Sequence, residues 1–197
     1  PGDTPKDEID LSVQQGLADP GDPDAVSGSG SSLLGISTNA TVLPSAMMVA
    51  GVTVTGGTKK VVFQVQASGT YGSGGDWLTD PILYVTKRDG TAIATVDDWQ
   101  SGPDAGYDST YYQTSFATEL ANSKYKMNGP KECAIVLELP EGSYTALVGG
   151  KNQSAKAVVA AYEFDSGSTA TFHGISTNAT VTPSAMMVAG VTVTGGT

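Results

Sequence analysis

A 24-residue segment occurs twice in this chain of 197 residues, at 35–58 and at 174–197, and only Leu43 and Thr182 differ between the two copies. Sequences this similar are expected to form the same strands. A two-stranded segment on its own is at best marginally stable in water. The second copy therefore needs a partner, either in a following module or in a neighbouring subunit.

The first copy has the alternating pattern of a strand with one buried face. Met48, Ala50, Val52 and Val54 fall on one side, and threonines occupy the other side. The Gly56-Gly57 pair and a second alternating run follow directly. This pattern predicts a hairpin between residues 46–55 and 59–67.

Further alternating runs, separated by turn residues, predict strands at 82–86, 92–96, 133–139, 144–148 and 157–164. The turn Arg88-Asp89-Gly90 predicts a hairpin between the first two of these runs. Many short strands at close spacing are typical of β-sandwiches. The sequence thus predicts an all-β, jelly-roll-like sandwich of about eight strands, with an N-terminal tether and a duplicated strand pair.

Residues 101–130 depart from this pattern. Tyr112, Phe116 and Leu120 have helical spacing, and residues 115–121 are long enough for two helical turns. We expect a long crossover loop that contains a short helix.

Composition divides the chain into four parts. Residues 1–34 are rich in Gly, Pro, Asp and Ser, and residues 1–30 carry −6 of the net charge of −10. Such a segment buries too little apolar surface to offset its chain entropy. We therefore predict a flexible acidic tether at 1–34, a sandwich module at 35–165, a linker at 166–173 and the second copy at 174–197.

Charge and composition exclude several classes of function. A net charge of −10 and a pI near 4.3 would repel nucleic acid. The sequence contains no apolar run long enough to insert into a membrane. The single cysteine, Cys133, excludes an intrachain disulfide and is expected to be a buried core residue. The chain begins at Pro1, as expected of a processed secreted protein or of a fragment of a longer one.

Seven short motifs resemble, in their order, a β-sandwich module of large secreted bacterial proteins, often found in tandem or appended to other domains. The motifs lie at 36–42, 51–56, 59–65, 80–85, 93–99, 131–148 and 161–165. Asp97-Asp98-Trp99 and Pro140-Glu141-Gly142-Ser143-Tyr144 are also similar to motifs of bacterial pre-peptidase C-terminal domains, which are jelly-roll accessory domains. The resemblance implies a noncatalytic extracellular module.

The residues offer little for catalysis. His173 is the only histidine, and it falls in the predicted linker. We predict no enzyme activity and no catalytic residue. Carboxylates in loops are suited to calcium, the only candidate cofactor, and Asp80, Asp97 and Asp98 are its candidate ligands. An aromatic platform for surface glycans is a further candidate, formed by Tyr71, Trp77, Trp99, Tyr107, Tyr111 and Tyr112, although core packing at a sandwich edge is the favoured interpretation for Trp99.

The duplication predicts self-association, because a donated strand can pair with an open sheet edge. The candidate residues are the apolar side chains of both copies: Ile36, Val42, Met48, Val52, Val54, Ile175, Val181, Met187, Val188, Val191 and Val193. Head-to-tail donation does not close, so it predicts a subunit of an extracellular bacterial fibre or surface appendage. The alternatives are a fragment of a covalent tandem-repeat adhesin or stalk, and a calcium- or glycan-binding accessory module of a secreted enzyme.

Overall fold

A computed structural model describes residues 31–72, 74, 76–164, 168–181 and 186–195. Within these residues the chain forms ten strands, which pair in two antiparallel five-stranded sheets. The sheets pack against each other around one apolar core. The predicted all-β sandwich is therefore confirmed.

The strands of sheet 1, in spatial order, are β10 (Val188–Gly195), β1 (Ser31–Val42), β8 (Ala155–Glu163), β3 (Lys59–Gln66) and β6 (Cys133–Leu139). Those of sheet 2 are β5 (Ala92–Val96), β4 (Ile82–Lys87), β7 (Gly142–Gly149), β2 (Met48–Thr55) and β9 (Thr171–Asn178). Two short helices, α1 (Ser68–Tyr71) and α2 (Ser115–Ala121), and a 3-10 turn at Trp99–Ser101 lie in the connections.

The first eight strands have the order of a jelly roll. Sheet 1 contains the series β1-β8-β3-β6, and sheet 2 contains β5-β4-β7-β2. Successive strands of a jelly roll alternate between the sheets except at one hairpin. Strands β9 and β10 extend this sandwich by one strand in each sheet, next to β2 and β1.

The predicted hairpin between 46–55 and 59–67 is wrong. Strand β2 pairs with β7 and β9 in sheet 2, whereas β3 pairs with β6 and β8 in sheet 1. Gly56 and Gly57 adopt positive φ angles of 77° and 136° at the point where the chain crosses between the sheets. Alternation of apolar residues fixes which face of a strand is buried, but it does not select the neighbouring strand.

Two local predictions are confirmed. Strands β4 and β5 form the expected hairpin, in which Gly90 has φ 83° and Asp89 Oδ1 accepts a hydrogen bond of 2.9 Å from the Thr91 amide. Helix α2 covers the predicted residues 115–121, and its Phe116 and Leu120 are buried beside Tyr112.

The predicted segment boundaries shift slightly. Strand β1 begins at Ser31, so residues 31–34 belong to a strand and not to the predicted tether at 1–34. Residues 1–30 lie outside the described residues. At the other end, β9 begins at Thr171, inside the predicted linker at 166–173. None of the helices in the described part of the chain is long and apolar enough to cross a membrane.

Candidate functional site

The two copies of the duplicated segment pair with each other. Strand β1 of the first copy lies antiparallel to β10 of the second, with Ile36 opposite Val191. Strand β2 of the first copy lies antiparallel to β9 of the second, with Val52 opposite Ile175. Ile36 and Ile175 are equivalent positions of the repeat, as are Val52 and Val191. Each copy thus contributes the same two strands to the same two contacts.

The register of the two ladders is also the same. Asn39 faces Val188 in one ladder, and their equivalents Asn178 and Val49 face each other in the second. Both ladders contain one irregularity, close to Gly35 in the first and beside Thr53 in the second. An approximate two-fold axis therefore relates the copies, and the contact is isologous in the sense used for symmetric dimers.

The side chains of the two copies differ sharply in burial. In the first copy, Ile36, Val42, Met48, Val52 and Val54 are at most 2% exposed. In the second copy, Met187 is 36% exposed, and Val181, Val188, Val191 and Val193 are 53–62% exposed. Burying one valine side chain contributes about 1.5–3 kcal/mol. The second copy therefore leaves uncovered a surface that its twin uses as core.

The entry to the second copy is anchored to the module. Ala170 and Phe172 are buried in the core. Lys59, which is 2% exposed, donates a 2.6 Å hydrogen bond to the Ala170 carbonyl oxygen and forms a 2.6 Å ion pair with Glu163. Breaking one partner of a buried pair is costly because it leaves a buried charge. The start of β9 is consequently fixed to β3 and β8 of its own chain.

The two copies lie at different positions in the sandwich. The first copy lies inside the jelly roll, and the second is added to the two edges that the first leaves open. Backbone groups along β1 and β2 are thereby paired on both sides. Pairing with a strand on each side removes the exposed edges that promote uncontrolled association.

The three candidate calcium ligands lie together. Carboxylate oxygens of Asp80, Asp97 and Asp98 are all within 4.8 Å of one another. The Lys151 ammonium is between two of them, at 2.9 Å from Asp80 Oδ1 and in contact with Asp97 Oδ1. Burial alone would lower the pKa of Lys151, but the hydrogen bonds to Asp97 and Asp80 outweigh it and raise this pKa. The lysine therefore stays charged and neutralises part of the cluster.

The third carboxylate has a different environment. Asp98 Oδ2 is 3.1 Å from Lys131 Nζ, and Asp98 Oδ1 is buried without a hydrogen-bond partner among the described residues. The next residue, Trp99, donates from Nε1 to the Gly129 carbonyl at 3.1 Å. The Asp97-Asp98-Trp99 motif thus fastens the end of β5 to the loop that precedes β6.

Replacing Lys151 with Met is expected to strengthen calcium binding at this cluster by about tenfold or more, because the ammonium competes for the same oxygens. Calorimetric titration with calcium chloride measures the change. Lys156→Met is the matched control, since the one carboxylate that Lys156 pairs with among the described residues is that of Asp76, at 4.0 Å on the surface. Equal affinities in wild type and Lys151→Met would show that the lysine does not compete with the ion.

The predicted aromatic platform is divided in the structure. Tyr71 stacks on Trp77 with ring centroids 4.1 Å apart, and Tyr71 is 45% exposed. Trp99, Tyr107 and Tyr111 are partly buried and pack against the core, and Tyr112 belongs to it. His173 lies in β9 opposite Thr53.

The sequence did not predict the partner of the Asp80 and Asp97 carboxylates. Lys151 follows Gly149-Gly150 in a turn where it and Asn152 have positive φ angles. Nothing in that turn signals a contact with Asp80 or Asp97. Glu132, which is 1% exposed, was likewise not predicted to be buried.

Cys133 is buried as predicted, and its Sγ donates to the Asp97 carbonyl at 3.0 Å. Burial, and after it the charge of Asp97, raise the pKa of this thiol far above its usual value. The thiolate is the reactive form, so Cys133 is expected to be inert.

Comparison of the chain with protein-family models, with curated proteins and with solved structures gives no match.

Proposed function

We propose that this chain is a noncatalytic structural module that joins like modules through the duplicated segment, in an extracellular fibre or repetitive surface protein. The observation that carries the proposal is the reciprocal pairing of the two copies in one register. A segment that pairs with its own duplicate can serve as a connector wherever a second copy is present.

The uncovered face of the second copy supports the same function. Val191 and Val193 repeat Val52 and Val54 of the first copy, which are almost completely buried. Contiguous apolar surface of this kind often marks a site of protein association. The second copy therefore has both an open backbone edge and an apolar face available to a further module.

The anchored entry favours covalently connected modules over a loose donor segment. Ala170 and Phe172 would have to leave the core for the second copy to move as a whole to another chain. The Lys59 and Glu163 pair would lose its contact with the linker at the same time. Donation between separate chains remains the alternative, and the following experiment distinguishes the two.

Paired cysteines test the connection in the full chain. Directly opposite residues in antiparallel strands have Cα atoms about 4.5–5.5 Å apart, within the range of a disulfide. Asn39→Cys with Val188→Cys, and Val49→Cys with Asn178→Cys, are therefore both expected to form disulfides on oxidation. Nonreducing electrophoresis separates bonds within one chain, expected for the anchored arrangement, from covalent ladders of chains, expected for donation.

Asn39→Cys with Val193→Cys serves as the control, because Val193 faces Leu33 and lies far from Asn39 along the ladder. This pair should stay reduced. If neither in-register pair forms a disulfide, within or between chains, the duplicated segment is not a connector and the proposed function fails.

A further inference from the structure

In the described part of the chain, the second copy lacks the outer strand neighbours that the first copy has. In the first copy, β1 pairs with β8 on the side away from β10, and β2 pairs with β7 on the side away from β9. Among the described residues, β9 pairs only with β2, and β10 only with β1. The approximate two-fold axis therefore assigns a β8-type strand to the free edge of β9 and a β7-type strand to the free edge of β10.

The inward faces of the second copy already face each other. Thr177 Oγ1 on β9 lies 3.9 Å from Met187 Sδ, which immediately precedes β10. Their equivalents in the first copy, Thr38 and Met48, are both at most 1% exposed and lie inside the sandwich. The second copy thus brings β9 and the start of β10 together at positions whose equivalents in the first copy are buried.

A glycine marks where the missing strand fits. A Cβ atom on Gly35 would lie 2.1 Å from Cδ1 of Tyr162, so glycine at this position makes room for the tyrosine ring of β8. The second copy carries Gly174 at the equivalent position. A tyrosine from another β8-type strand would therefore meet no Cβ atom at this position.

We infer that the partner of the second copy is a second module of the same kind, and that the two modules form a closed two-fold pair. The inference rests on the proposed function and adds the geometry of the join. Strands equivalent to β3–β8, which lie within residues 59–164, complete the sandwich around the second copy. Each sheet then continues without interruption from one module into the next and contains eight strands.

The symmetry of the join decides how assembly proceeds. Each module uses its β1 and β2 edges to pair with the same edges of the other, so both edges are occupied once two modules have met. Isologous contacts of this kind close, whereas head-to-tail contacts continue. The outermost strands of the pair are β5 and β6 of each module. A longer array is accordingly a string of pairs, and the head-to-tail growth expected from the sequence does not occur at this contact.

A two-module protein tests the inference, made by repeating residues 59–164 directly after Thr197 of the full chain. Val191→Cys supplies a reporter thiol at a side chain that is 62% exposed, and the native Cys133, which is 0% exposed, serves as the buried reference. In the 197-residue chain, mass spectrometry after reaction with a maleimide should show one label. In the two-module protein, labelling of the reporter should slow by on the order of 100-fold, because it then requires local opening. Light scattering should give the mass of one chain at every concentration.

Thr91→Cys is the matched control, since Thr91 lies in the exposed β4–β5 turn and should react equally in both proteins. A reporter at 191 that reacts equally fast in both proteins would overturn the inference. Protection of the reporter together with a mass that grows with concentration would overturn the closed pair alone. Neither result depends on the disulfide test, which addresses the proposed function separately.

Discussion

Val52→Asp is expected to unfold the protein, whereas Val191→Asp should change the free energy of unfolding by less than about 0.5 kcal/mol. The two valines occupy the same position of the repeat. Val52 is 2% exposed in the core, and Val191 is 62% exposed on β10. An unpaired carboxylate at position 52 would be buried among apolar side chains, which costs more than about 4 kcal/mol.

Urea denaturation followed by circular dichroism measures both variants. Val52→Ala and Val191→Ala keep the comparison measurable if Val52→Asp does not fold, and we expect a loss of about 2 kcal/mol for the first and almost none for the second. Equal losses at the two positions would mean that the second copy is buried in solution, contrary to the structure.

Glu132→Gln is expected to lower the free energy of unfolding by about 3 kcal/mol. The Glu132 carboxylate accepts four hydrogen bonds: from the Ala67 and Thr70 amides at 2.7 and 2.8 Å, from the Thr70 hydroxyl at 3.1 Å and from the Gly129 amide at 2.9 Å. A glutamine would turn an NH₂ group toward at least one of these donors. The side chain is 1% exposed, so water cannot take over the lost contacts.

Glu138→Gln provides the control, because Glu138 is only half-buried and its carboxylate accepts a single 3.3 Å hydrogen bond from Gln113. Its replacement should cost less than about 0.5 kcal/mol.

Trp99 offers a second readout, since its amide donates to the Glu132 carbonyl and its indole to the Gly129 carbonyl. Tryptophan fluorescence should therefore change in Glu132→Gln before global unfolding. Equal stabilities of the two variants would show that the Glu132 hydrogen bonds do not stabilise the fold.

Local sequence patterns predicted much of the fold. Arg88-Asp89-Gly90 placed the β4–β5 hairpin correctly, and the spacing of Tyr112, Phe116 and Leu120 located α2. The β2–β3 connection was mispredicted because a Gly-Gly turn can lead back to the same sheet or across to the other. The strand that pairs with each of them is determined by sheet edges formed elsewhere in the chain, here those of β7 for β2 and of β8 for β3. A jelly roll depends on such distant pairings, which no local pattern reports.

Only part of each candidate site was predicted from the sequence. Asp80, Asp97 and Asp98 were predicted as candidate calcium ligands, and the structure brings their carboxylates together. Lys151 was missed because it reaches the cluster from a turn far along the chain. The duplication identified a segment that needs a partner, but it did not predict that the two copies pair with each other within the chain. That partner follows from the two-fold relation of the ladders, which only the three-dimensional arrangement displays.

The reciprocal ladders make the duplicated segment the protein counterpart of a palindromic, cohesive DNA end. Each copy pairs with another copy of itself, so a substitution made in both copies changes both partners of the pairing. Leu43, one of the two positions at which the copies differ, lies outside the paired residues of the β1–β10 ladder. Within the ladders the two copies are identical, so a change in one copy alone would alter only one side of each contact.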